Sequence, residues 1–287
     1  MTTKVDRHER IAPTAYFTSY TWHRLGLPYA ELFATARGAR LYWSLRFGFE
    51  WMVMIRGRLP TMAQYLGQRH RVIDWALDGY GADRVAEIGA GLSRRGVTWA
   101  ADRDARYAEI DLPHMIAAKQ ALIAERAPAV LRGTLAARLS HHSIDVLDPS
   151  FGDRLAALLE GSRRPAVVAE GLLGYLTIPQ RTALLGSIRG ALARSGGGVF
   201  ICDSHLADAR VRLGRAAKIM TTLIGLLTRG QGVREPFADG KAAEAAYRAA
   251  GFAGVERFQP LELLDRVSGL ARVYAPVNIY RLTAEAS

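Results

Sequence analysis

The 287-residue chain has one cysteine, Cys202. That excludes an intramolecular disulfide and argues against a thiolate metal site. Cys202 sits in an apolar run and reads as a buried structural thiol. Lysine is almost as scarce: of 38 basic residues only Lys4, Lys119, Lys218 and Lys241 are lysine, and the other 34 are arginine. Long apolar runs are missing. A membrane span needs about 20 predominantly apolar residues, whereas stretches such as Pro165 to Leu176 are short and contain Glu170. No membrane association is expected. Met1 to Arg10 is polar with no hydrophobic core region, so no signal peptide is expected and the chain reads as cytoplasmic. Neither a His-Glu-x-x-His zinc motif nor a Gly-x-Ser-x-Gly elbow occurs, and no metal is expected.

What is present suits a globular protein. Hydrophobic content of 49% and charged content of 23% imply a sizeable core. The net charge of +11 fits either a cationic solvated surface or an anionic substrate or partner. Residues 1–80 read as a helical cap holding fourteen of the 25 aromatic residues, among them Tyr16, Phe17, Tyr20, Trp22, Tyr42, Trp43, Phe49 and Trp51. These rings either pack a helical core or wall an acceptor pocket, since ligand sites are mostly apolar and aromatic.

Residues 81–287 read as an α/β core. Strands are predicted at Val85–Ile88, Arg106–Ile110, Leu139–Ile144, Ala166–Ala169 and Gly198–Cys202, with helices at 117–125 and 151–160. Thr177 and Gln180 resemble a capping box opening a helix to Ala193. The alternation implies a parallel sheet with helices on both faces. A lid insertion follows at about 205–240. Its apolar stripe is Leu206, Ala209, Leu213, Ala216, Met220, Leu223 and Leu227. Arg210, Arg212, Arg215 and Lys218 fall mostly off the stripe, as a solvated face or a basic lid. A helix at 241–250 stopped by Gly251 and strands near 255–258 and 277–282 close the chain.

The chemistry gathers at predicted strand ends. Val-Ala-Glu-Ile-Gly-Ala-Gly (85–91) runs an apolar strand through Glu87 into Gly89 and Gly91. Such glycines permit a tight turn and close backbone approach to a ligand. Arg94 stands where a dinucleotide fingerprint has its third glycine, which counts against NAD. Asp111 lies 20 residues after Gly91, placed to hydrogen-bond ribose hydroxyls. Asp145 follows the third strand, where its carboxylate and the Val146 backbone can serve an adenine ring. Glu170 ends the fourth. Ligands of such sheets sit outside the carboxyl ends of the strands, and these residues outline one nucleoside-type cofactor.

The runs Glu-Ile-Gly-Ala-Gly-Leu-Ser-Arg-Arg-Gly (87–96), Ala-Glu-Ile-Asp-Leu-Pro-His-Met-Ile-Ala-Ala-Lys (108–119) and Ala-Glu-Gly-Leu-Leu-Gly-Tyr-Leu (169–176), with Arg-His-Arg-Val-Ile-Asp (69–74), resemble the leucine carboxyl methyltransferase family. They look closest to its bacterial O-methyltransferases associated with polyketide biosynthesis. The resemblance implies a class I methyltransferase Rossmann-like sheet and S-adenosylmethionine as cofactor, leaving S-adenosylhomocysteine. It implies that Arg69 pairs with the cofactor's carboxylate and that Gly89 and Gly91 underlie its methionine portion. Asp111 is then the ribose ligand, Asp145 and Val146 the adenine pair, and Glu170 the acid near the amino group. Ser93 departs from the aspartate common in relatives. The Pro13 to Trp22 segment lacks the basic pair of protein-phosphatase methylating members, which favours a small-molecule acceptor.

Methyl transfer from a sulfonium is an in-line displacement governed by alignment and exclusion of water. A carboxylate acceptor, with a pKa of about 4, needs no general base, whereas a phenol near 10 benefits from one. The leading expectation is O-methylation of an anionic small-molecule carboxylate. O-methylation of a phenolic or enolic hydroxyl is the alternative. Tyr175 and His142 are the candidate catalytic side chains; His141 and His142 also suit a structural or surface role. Two other classes stay open: a nucleic-acid-binding protein or RNA methyltransferase, and a methyltransferase-like fold without methyl transfer. The first lacks an RNA-binding module and a concentrated basic tail, so no nucleic acid is expected.

Overall fold

The computed structural model describes residues 12–50, 60–204, 206–207 and 236–287. Seven strands form one sheet: β1 (Arg84–Ile88), β2 (Arg106–Asp111), β3 (Leu139–Ser143), β4 (Pro165–Ala169), β5 (Gly198–Ser204), β6 (Gly254–Phe258) and β7 (Asn278–Ala284). Their order is β3-β2-β1-β4-β5-β7-β6. The first five strands are parallel, and β7 runs antiparallel to both β5 and β6. Strand order reverses between β1 and β4. That is where a doubly wound sheet opens its ligand crevice.

Nine helices of the described residues flank the sheet: α1 (Ala12–Arg24), α2 (Ala36–Leu45), α3 (Met62–Tyr80), α4 (Arg95–Asp102), α5 (Pro113–Arg126), α6 (Ala129–Arg138), α7 (Phe151–Leu159), α8 (Ile178–Arg194) and α9 (Gly240–Ala249). Side chains alternate between the sheet's faces, so both need cover. On one face Val85, Val168 and Ile201 pack with Phe17 of α1, Tyr42 of α2, Ile73 of α3, Val97 of α4 and Ile123 of α5. On the other, Ile88, Val167 and Phe200 pack with Leu155 of α7, Ile188 of α8 and Tyr247 of α9. The N-terminal helices thus share a core with the sheet.

Local chemistry explains the helix ends. Thr61 and Gln64 form a capping box at the start of α3, and Gly81 closes it with φ +69°. Thr177 and Gln180 form the expected capping box on α8. Pro113 suits the first turn of α5, where its missing N–H costs nothing; the helix therefore starts four residues before the predicted 117. Two helices, α4 and α6, carry no clear sequence signal. In α4 the Arg94-Arg95 start reads as polar loop, yet both arginines are buried.

The proposed lid helix, including Ala209, Leu213, Ala216, Met220, Leu223 and Leu227 with Arg210, Arg212, Arg215 and Lys218, lies outside the described residues. So do Trp51 and the Phe49 side chain. Leu206 is described; it is buried and bridges to Phe237. No helix among the described residues is long and apolar enough to cross a membrane.

Candidate functional site

The turn after β1 is shaped by two left-handed glycines, Gly89 at φ +65° and Gly91 at φ +50°. Gly89 and Ala90 both donate to the Ile110 carbonyl of β2, at 2.8 and 3.2 Å. The Gly91 N–H donates to Asp111 Oδ2 at 2.6 Å, and the Leu112 N–H donates to Oδ1 at 2.7 Å. The turn and the acid ending β2 are thus one hydrogen-bonded unit. A carboxylate has roughly four lone-pair sites, so the two amides leave acceptor capacity for hydroxyl groups. Burial raises the Asp111 pKa, against the pull of both amides. A Cβ on Gly91 would reach Ala15 of α1 at 3.4 Å, so the N-terminal helix lies over the turn.

Glu170, past the end of β4, stands in a dense ion-pair network. Arg69 Nε donates to Glu170 Oε1 at 3.0 Å, and Arg95 Nη2 donates to Oε2 at 2.7 Å. Arg95, fully buried, also binds Asp74 at 2.6 Å and Glu87. Arg94 binds Asp74 and points its Nε–H at His70 Nε2, 3.2 Å away. His70 Nδ1 lies 2.7 Å from Glu170 Oε2 and 3.0 Å from Arg95 Nη2. Burial lowers the His70 pKa, against the pull of Asp74 and Glu170. Burial would raise the Glu170 pKa, but His70, Arg69 and Arg95 hold its carboxyl well below the ordinary value.

The sequence-derived residues are not all gathered equally. Arg69, Gly89, Gly91, Asp111 and Glu170 converge on the carboxyl ends of β1, β2 and β4. Asp145 follows β3, its Oδ1 accepting the Leu147 N–H at 2.9 Å, with Val146 partly buried beside it. Glu87 sits differently: its carboxylate points into the core, taken by Arg95 and by the Tyr107 hydroxyl at 2.9 Å. It is 1% exposed and braces the turn from beneath rather than facing a ligand. Tyr175 is partly buried; burial raises its pKa, and it bonds Thr14 within the electrostatic reach of Arg69 and Asp203. His142 bonds Ser140 Oγ at 2.9 Å on the edge strand β3. With strands about 4.8 Å apart, β3 and β4 stand about 14 Å apart. The structure does not bring His142 to Tyr175 and Glu170.

Several network members were missed by sequence reasoning: His70, Asp74, Arg94, Arg95 and Asp203. Asp203 was findable by the rule that found Asp111 and Glu170, because it lies near the carboxyl end of a predicted strand. It is 3% exposed. The others lie on α3 and at the start of α4, where buried charge looks like surface charge until its partner is known. The network has three guanidiniums, Arg69, Arg94 and Arg95, against four carboxylates, Asp74, Glu87, Glu170 and Asp203. A guanidinium beside a carboxylate is a donor and acceptor set that fits a zwitterionic ligand.

Residues 25–189 match the leucine carboxyl methyltransferase family. The chain belongs to that family. Membership makes it a methyltransferase of the S-adenosylmethionine-dependent kind. The family match holds Arg69, the glycine turn, Asp111 and Glu170, and stops before Asp203. No curated protein gives a significant match. Among solved structures the chain is similar to a candidate methyltransferase of Thermobifida fusca, with 15% identity and a TM-score of 0.57 over 94% of each chain. It is also similar to a candidate O-methyltransferase of Nostoc punctiforme, with 13% identity and a TM-score of 0.51 over 84% of this chain and 68% of that one. Human N-acetylserotonin methyltransferase, solved with S-adenosylmethionine, shares 14% identity and a TM-score of 0.50 over 93% of this chain and 62% of its own. At these identities the likeness is one of fold: the seven-stranded sheet flanked by helices is that of the class I methyltransferases.

Proposed function

We propose that this family member binds S-adenosylmethionine at the strand ends and methylates the carboxylate of a small molecule, such as a polyketide-like or other natural-product acid. One observation carries the reading above the others. Arg69 and Glu170, 3.0 Å apart, present opposite charges side by side at the end of β4. An α-amino-acid group offers the complementary pair. Glu170 would take the ammonium and Arg69 the carboxylate, the latter matching the planar fork of a guanidinium. Asp111, held by two backbone amides, would accept from the ribose hydroxyls. Asp145 and Val146 would take the adenine.

When bound, the cofactor supplies an electrophilic methyl group on a sulfonium, which an acceptor oxygen displaces in line. The protein's own contribution is alignment and exclusion of water. A carboxylate is ionised at neutral pH and needs no proton removed. Tyr175 fits that acceptor. Burial keeps its phenol protonated, so it is a hydrogen-bond donor that can orient an anionic oxygen. The aromatic residues of α1 and α2 supply apolar surface of the kind that lines small-molecule sites.

A screen of carboxylic and phenolic acceptors with the cofactor tests the reading. Methyl esters that release methanol at high pH are the expected products. Base-stable ethers would move the acceptor to a phenolic or enolic hydroxyl. Methylated RNA, with no small-molecule product, would overturn the acceptor class.

A further inference from the structure

Beside Arg69 and Glu170 stands a third charged group to which no role has been given. Asp203, near the end of β5, is almost wholly buried. Its Oδ1 accepts the Gly171 N–H at 2.6 Å, and its Oδ2 lies 3.5 Å from Arg69 Nη1. Gly171 is the residue after Glu170 and is left-handed, with φ +69°. A Cβ there would fall 3.1 to 3.4 Å from three atoms of the Arg69 guanidinium. One carboxylate therefore ties down the peptide that follows Glu170 and the far end of the Arg69 fork. Glu170 holds Arg69 only at Nε, at the near end. Tyr65 also hydrogen-bonds Arg69, but Asp203 supplies a negative charge at the far end of the fork and so helps fix its plane.

We infer that Asp203 is a positioning residue for the amino-acid end of the cofactor, acting through Arg69 and Gly171. The inference rests on the cofactor reading above. Its negative charge keeps the guanidinium flat against Gly171, with Arg69 and Glu170 in the mutual geometry that an α-amino-acid group needs. Loss of that charge leaves the fork to Glu170 and Tyr65, loosens its plane and weakens binding of cofactor and product alike. Burial of Asp203 is supportable because both of its oxygens have partners, one a neutral amide and one a cation.

Asp203→Asn separates the two ties. The amide oxygen still accepts the Gly171 N–H, while the charge facing Arg69 disappears. Calorimetric titration with S-adenosylhomocysteine is the readout, in the wild type, in Asp203→Asn, in Arg69→Gln and in the double variant. The wild type is expected to bind, and Asp203→Asn to bind about tenfold more weakly. In the Arg69→Gln background the same substitution is expected to change affinity less than twofold, because residues in one ion-pair network are non-additive. An equal loss in both backgrounds would show that Asp203 only braces the fold, and would overturn the inference. Unchanged affinity in Asp203→Asn would overturn it too. Absence of binding by the wild type would instead defeat the cofactor reading. Should Asp203→Asn fail to fold, Asp203→Glu takes its place: it keeps the charge and is expected to bind within about threefold of wild type, and a tenfold loss there would contradict the role.

Discussion

Gly96 lies against the buried carboxylate of Glu109. A Cβ on Gly96 would collide with that carboxylate, its Cδ lying 2.7 Å away, and would reach Leu139 Cδ1 at 3.0 Å. Arg94 occupies the slot where a dinucleotide fingerprint places its third glycine, whose task is close helix–strand packing. Here the task falls two residues later, where α4 presses on β2. The third glycine has been displaced rather than lost, and Arg94 is released to bind Asp74 and His70.

Gly96→Ala is therefore expected to destabilise the protein, although alanine is the better helix former. Overpacking a filled interior costs about 1–3 kcal/mol, which outweighs a helix-propensity gain of about 1 kcal/mol. Urea denaturation of wild type and variant measures the difference. A stabilised variant would contradict the packing assigned to Gly96.

Glu109 has a cation of its own. Lys119 Nζ lies 2.6 Å from Glu109 Oε1, and both side chains are wholly buried. Breaking such a buried pair costs about 3–5 kcal/mol, and without Lys119 the Glu109 carboxylate keeps only His141, 3.2 Å from Oε2. Lys119→Met is expected to lose stability on that scale, and the double variant with Glu109→Leu to recover most of it. A loss in Lys119→Met below about 1 kcal/mol by denaturant titration would contradict the pairing.

His70 makes stability depend on pH. Its folded pKa lies below the ordinary 6.5 because burial disfavours the charged ring. Below pH 6.5 the unfolded chain takes up a proton that the folded chain refuses. Stability is therefore full above that pH and declines as pH falls, by up to about 1.4 kcal/mol per pH unit. Glu170, whose folded pKa is depressed, adds its own loss only as pH falls below its ordinary 4.5. His142, lowered by partial burial, His141 and Arg154, contributes in the same window as His70. His70→Gln is expected to flatten the dependence between pH 6.5 and 5 while leaving the His142 share. Denaturation curves across that range check it; a slope unchanged by the substitution would contradict a lowered His70 pKa.

How far these relations were legible depends on whether their physics is local. A strand that ends in Gly-Ala-Gly, an acid 20 residues on and a Thr-x-x-Gln cap are local features: Gly89 and Gly91 form the turn, Asp111 ends β2 and Thr177 caps α8. The network around Glu170 is not local. Arg94, Arg95, His70 and Asp74 carry no local sign of burial, because only the tertiary structure supplies their partners. Glu87 shows the reverse: its place on an apolar strand suggests a ligand-facing acid, but the pleat turns it toward Arg95 and Tyr107 in the core. The helix α4 was hidden for the same reason, since its buried polar start breaks the apolar period that marks a helix.

Asp111 offers the most direct test of the account. Both its oxygens already hold backbone amides, of the glycine turn and of the start of α5, and keep acceptor capacity beyond them. Hydrogen bonds to a charged group contribute about 1.5–3 kcal/mol. Calorimetric titration of wild type and Asp111→Ala with S-adenosylhomocysteine should therefore show one site in the wild type and affinity at least about tenfold weaker in the variant. Equal affinity in the two proteins, or no binding by the wild type, would contradict the placement of the cofactor at these strand ends.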